Sequence, residues 1–254
     1  MSPTIWTRCA GPSRTAPLAG RFHRVVEAQF RNSTRKLVDS DEEQRVLEEL
    51  LDARAKAPVP PGFTDLHYLL YTPFRHPPLQ NGTRFGTRYE RGILYGAGAL
   101  PTAFAEVAYY RLLFLQGPRE DLGTVPVQLT AFAFGIRARR AVDLSRAPFS
   151  RHAARISSPD SYADSQPLGA QMRAAGVQAC LYVSARARPA ALNIAVFDNA
   201  FSPKKPTREE RFRCTADRAR VEFRSERLLG EELWLVFLRE QFLVGGRLPS
   251  PALD

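Results

Sequence analysis

Apolar residues crowd the stretch from 103 to 114. Ala103, Phe104, Ala105, Val107, Ala108, Tyr109, Leu112, Leu113 and Phe114 fall on nearly every face of a helix, the pattern of a helix meant for burial. Ahead of it lie a Gly-rich turn bearing Arg84, a short strand ending in Tyr95 and a loop with Pro101. Other stretches carry weaker periods. Residues 21–30 predict a strand. Ser40 and Glu43 form a capping box, and Val46, Leu47, Leu50 and Leu51 follow at helical spacing, so residues 40–56 predict an amphipathic helix. His67 to Phe74 reads as a strand, and Arg75-His76-Pro77-Pro78 as extended or turning chain. Residues 125–137 alternate like a half-buried strand, with a further one over 141–144. Residues 145–165 read as a long Ser/Pro-rich loop, either a lid or an insertion. A short helix over 167–175 closes at Gly176, two strands cover 177–185 and 192–197, a hairpin covers 211–226, and a last helix covers 231–244.

These elements predict one α+β domain: a mixed, largely antiparallel β core flanked by helices. Residues 1–20 are expected to be irregular, with Ile5 and Trp6 able to pack. The domain is expected to run over 21–254, with insertions near 40–66 and 145–165. At 254 residues the chain can bury one substantial core.

Charge narrows the function classes. Lys and Arg number 36 against 26 Asp and Glu, a net charge of +10 that suits an anionic small molecule or nucleic acid. The cations are mostly arginines scattered along the chain, which argues against a dedicated nucleic-acid groove. The histidines at 23, 67, 76 and 152 have no zinc-site spacing, so no metal is expected. Cys9, Cys180 and Cys214, odd in number and far apart, suit free thiols in a reducing cytoplasm. No apolar run reaches membrane-spanning length, and no signal-peptide core opens the chain. There is no G-x-G-x-x-G dinucleotide fingerprint.

Glu106 is the one carboxylate in the apolar helix, and a buried carboxylate without a partner is costly. Arg84, Tyr95 and Glu106 follow one another at intervals of 11 residues, so a strand–loop–helix passage can gather a cation, an aromatic ring and an anion. The bland alternative makes Glu106 a stabiliser of its helix N-terminus, Arg84 a solvated cation and Tyr95 core. His76, beside two prolines, is expected to be exposed rather than a catalytic base.

The stretch Gly82-Thr83-Arg84-Phe85, Ile93-Leu94-Tyr95 and Ala103-Phe104-Ala105-Glu106 resembles the signature of the RES domain family. Tyr182-Val183-Ser184-Ala185 and Asn193-Ile194-Ala195-Val196-Phe197 echo its later Ser and Asn strands, and His23-Arg24-Val25 an early element. Thr83 stands where the family's turn has a second Gly, and Val183 where it has Pro. The resemblance implies a fold like that of ADP-ribosyltransferase toxins and destruction of NAD+ by hydrolysis or phosphorolysis. NAD+ is then a consumed substrate, with no cofactor or metal. It casts Glu106 and Arg84 as catalytic, and Arg84, Tyr95, Ser184 and Arg24 as NAD-binding, with Arg75 an alternative to Arg24. It further implies a toxin in the cytoplasm, paired with an Xre-type antitoxin, and leaves homo-oligomerisation open. Two other classes remain: an ADP-ribosyltransferase acting on a macromolecule, and a non-catalytic basic protein that binds nucleic acid. Against the former, Phe104 stands two positions before Glu106, where arginine-modifying transferases often carry an acid.

Overall fold

The computed structural model describes residues 3–28, 40, 42–43, 57–76, 78, 80–120, 122–227 and 231–251. The helix expected over 40–56 lies almost wholly outside them. Ser40 Oγ does accept the Glu43 N–H at 3.1 Å, the first bond of the expected capping box.

Eight strands form the sheet: β1 (Ala16–Glu27), β2 (Leu94–Ala97), β3 (Val125–Asp143), β4 (Ala179–Val183), β5 (Leu192–Val196), β6 (Thr207–Ala216), β7 (Arg220–Ser225) and β8 (Trp234–Leu238). Their order is β1-β2-β5-β4-β3-β6-β7-β8, and β1 pairs with β3 as well, so β1, β2, β5, β4 and β3 close a ring. Only β3 and β4 run parallel among these pairings. The expected α+β architecture, with a mixed and largely antiparallel sheet flanked by helices, is what forms.

The long strand β3 organises the ring. Its first half pairs with β6, its last three residues pair with β4, and β1 runs along its other edge from Glu27↔Leu129 to Ala16↔Ala141. The two strands expected over 125–137 and 141–144 are thus one. By contrast β1 and β2 share a single register pair, His23↔Ala97. The ladder is weakest there, and a cavity opens beside that pair.

Among the described residues, three helices of eight residues or more pack on the sheet: α1 (Tyr68–Arg75), α2 (Leu100–Gln116) and α3 (Ser165–Ala174). Helix α2 lays Phe104, Ala108, Tyr109 and Leu112 on β3, β6 and β7, where Phe104 meets Phe212 and Phe223. Phe114 remains exposed, as does much of Tyr110, which lines a cavity beside the helix, so the helix is less enclosed than its composition implies.

Two elements depart from the sequence reading. Residues 67–74 form α1 rather than a strand. His67 Nδ1 accepts the Leu69 N–H, and Leu69, Leu70 and Phe74 bury a face at helical spacing against Phe63, Phe132 and Phe134, which outweighs the disruption from Pro73. Residues 231–244 are not a helix. Trp234 to Leu238 pair antiparallel with β7, with Leu235 and Phe237 turned to the core, and a 3-10 turn follows over Arg239–Phe242.

The amino-terminal stretch is more ordered than expected. Ile5 and Trp6 sit in a helical turn, Ile5–Arg8, buried with Phe85, Phe149 and Met172, and β1 already starts at Ala16. The stretch 145–165 holds a 3-10 turn, Phe149–His152, and a helical turn, Ala153–Ile156, anchored by buried Phe149 and Ile156. The shorter helix, the strands β4 and β5 and the β6–β7 hairpin fall where expected, with Gly176 at φ +71 closing α3.

Helix α3 lies close enough to the Arg84 turn that a Cβ on Gly169 would sit 2.0 Å from the Phe85 carbonyl oxygen. Backbone cannot yield as a flexible side chain does. Gly169→Ala is therefore expected to cost about 1–3 kcal/mol, read as a lower urea midpoint. An unchanged midpoint would mean that helix and turn part without penalty.

Candidate functional site

Glu106 lies in the second turn of α2, beyond the first-turn reach of the helix N-terminus. Its partners come from far along the chain. Ser184 Oγ donates to Glu106 Oε1 at 2.7 Å and Asn193 Nδ2 donates to the same oxygen at 2.6 Å. Ser184, just past β4, is in turn fixed by the Arg186 and Ala187 N–H groups, each donating to its Oγ at 3.1 Å. Two charge-assisted bonds thus occupy one carboxylate oxygen, and Oε2 is left for the cavity.

That cavity, of about 250 Å³, is bounded by β1, β2, α2 and the segment around Tyr162. Its wall carries three guanidinium groups, Arg24, Arg84 and Arg186, and one carboxylate, Glu106. Arg24 reaches across the β1–β2 seam, Nη1 donating to the Tyr95 carbonyl at 2.6 Å, while its Nε is buried with no partner among the described residues. Burial pushes its pKa down to about 10, which leaves it cationic at neutral pH. Arg84 is buried at the tip of its turn. Its Nη1 donates to the carbonyls of Ile156 at 3.1 Å and Ser158 at 2.8 Å, and its guanidinium lies 5.2 Å from the Tyr162 ring centre.

Tyr95 has a double role. Its ring lines the cavity, while its hydroxyl accepts the Phe85 N–H at 3.1 Å and bonds Thr83 Oγ1 at 2.9 Å, pinning the turn that presents Arg84. Thr83, where the family has a second Gly, supplies one of those bonds. Tyr182 also faces the site, and burial, then the charge of Glu106, raise its phenol well above the ordinary range, so it stays protonated.

The five residues singled out in sequence divide in two. Glu106, Arg84, Tyr95 and Arg24 line the cavity; Ser184 does not, and lies behind Glu106 as its support. Arg75 is away from the cavity wall, donating to the Ala57 carbonyl, and His76 is exposed. Sequence reasoning passed over Asn193, Arg186 and Tyr162 as site residues. Asn193 was visible in the Asn-bearing strand, and Arg186 stands two residues after Ser184. Tyr162 had no signal within its polar stretch.

A single carboxylate held by two donors thus shares a cavity wall with three guanidinium groups, an excess of positive charge that suits an anion. The RES domain family model matches residues 59–215, more than half of the chain, and the protein belongs to that family. Membership is compatible with a toxin-like, NAD-related function and with an enzymatic role. No curated protein matches the chain. Among the described residues, no helix is long and apolar enough to cross a membrane, and no cluster of His, Cys, Asp and Glu could hold a metal ion.

Proposed function

We propose that this protein degrades NAD+ by breaking the nicotinamide–ribose bond, with water or phosphate as the acceptor. The observation that carries the reading is the Glu106 carboxylate, tethered through Oε1 and lining a cavity walled by three guanidinium groups. As the C1′–N bond breaks, its electron pair leaves with neutral nicotinamide and positive charge grows on the ribose. A fixed carboxylate stabilises that charge without reorganising. Tyr95 and Tyr182 flank it, and Arg84 holds the pyrophosphate by charge-assisted hydrogen bonds. The incoming oxygen attacks C1′ and gives up its proton to Glu106 or to solvent.

An Xre-type antitoxin is the proposed partner, and the cytoplasm, where NAD+ is abundant, the proposed compartment. ADP-ribosyl transfer to an arginine is disfavoured because Phe104, two residues before Glu106, is wholly buried in the core. Purified protein is expected to release nicotinamide from NAD+. Loss of activity in phosphate-free buffer would name a phosphorylase, and label retained on a protein or nucleic acid would name a transferase. Intact NAD+ after prolonged incubation would overturn the reading in favour of a binding protein, recognisable by salt-dependent binding of nucleic acid.

A further inference from the structure

Arg186 is 5% exposed, yet among the described residues its side chain makes one hydrogen bond, from Nη2 to the Pro159 carbonyl at 2.8 Å. No carboxylate among the described residues pairs with it. Its guanidinium lies 3.5 Å from the centre of the Tyr109 ring. That ring is itself fixed, since the Tyr109 hydroxyl donates to the Pro249 carbonyl at 2.5 Å. Stacking on a fixed aromatic face sets the plane of the guanidinium in advance. Among the described residues the remaining N–H groups have no acceptor, and the side chain forms part of the cavity wall.

Arg84 is held in the same way and at the same place. It donates to the Ser158 carbonyl, Arg186 to that of Pro159, the next residue. Two buried cations are therefore anchored side by side on one segment. Like charges brought together out of water repel, and backbone carbonyls offset only part of that penalty. Tethering the segment alone requires one donor and no charge. A divalent anion seated against both guanidinium planes removes the imbalance.

We propose that Arg186 is a specificity-determining residue which, with Arg84, grips a diphosphate, so that the site prefers a dinucleotide to a mononucleotide or a nucleoside. For the substrate this rests on the NAD+ reading; the diphosphate chemistry rests on the cations alone. The test compares wild type with Arg186→Gln and Arg186→Lys on NAD+, nicotinamide mononucleotide and nicotinamide riboside, beside calorimetric titration with inorganic pyrophosphate. Arg186→Gln is expected to raise KM for NAD+ about 10- to 100-fold with a much smaller change in kcat, and to lower kcat/KM for the phosphate-free riboside far less than for NAD+. Pyrophosphate affinity should fall by a similar factor, and Arg186→Lys should recover part of both losses. Equal losses on all three substrates would reduce Arg186 to a structural tether and overturn the proposal. If the wild type consumes no NAD+, the titration decides alone. Pyrophosphate binding that depends on Arg186 sustains the diphosphate site, and absent or Arg186-independent binding overturns it.

Discussion

Glu106→Gln is expected to lower NAD+ turnover by on the order of 10³-fold, about 4 kcal/mol of transition-state stabilisation, with little change in KM. Glutamine keeps the shape of the side chain and a carbonyl oxygen that still accepts from Ser184 and Asn193. What it removes is the negative charge opposite the developing ribose cation. Stability should be nearly unaltered, so equal melting temperatures for the two proteins would make the loss a chemical one. A variant within a few-fold of wild type would place the catalytic charge elsewhere.

Phe104→Ala should have the largest effect on stability, about 3–5 kcal/mol and a Tm lower by on the order of 10 °C. The ring is wholly buried, with centroids 4.7 Å from Phe212 and 4.6 Å from Phe223. It joins α2 to the β6–β7 hairpin, two residues from Glu106, and α2 has few ways to settle into the space left behind. Thermal melts check the first part. Activity measured well below the new midpoint checks a second: the carboxylate, held by Ser184 and Asn193 rather than by Phe104, should remain functional. A melting point within about 2 °C of wild type would mean that the three-ring contact contributes little.

The fold class and most of its elements could be read from the chain because their periods were long or well punctuated. Helix α2 carries a long apolar run interrupted only by Glu106 and Arg111 between residues 103 and 115, and the β6–β7 hairpin alternates around Asp217. Where an apolar run was short, period did not decide. Tyr68–Arg75 carries a proline that argued against a helix, and burial against Phe132 and Phe134, over fifty residues further on, prevailed. Trp234–Leu238 became a strand because β7 offered a free edge, which no local pattern reports.

Much the same division holds for the site. Arg84, Tyr95 and Glu106 were visible through their spacing and the family signature. Ser184 was found, but as a residue that addresses substrate rather than one standing behind Glu106. Glu106 looked unpartnered because its two donors come 78 and 87 residues later. Arg186 was hidden for another reason. Among 36 basic residues, mostly arginine, a buried unpaired one looks like any other until its surroundings are known.

The closing of the ring bears on how the protein is made. Strand β1 finds its partner in β3 more than a hundred residues later, and β5 must slot between β2 and β4 before Asn193 can reach Glu106. On the ribosome, then, a nascent chain lacks the assembled carboxylate until translation has passed β5. Pairings of such sequence separation also form slowly. Whatever chemistry the Glu106 carboxylate performs therefore becomes available only once β5 has been made and paired.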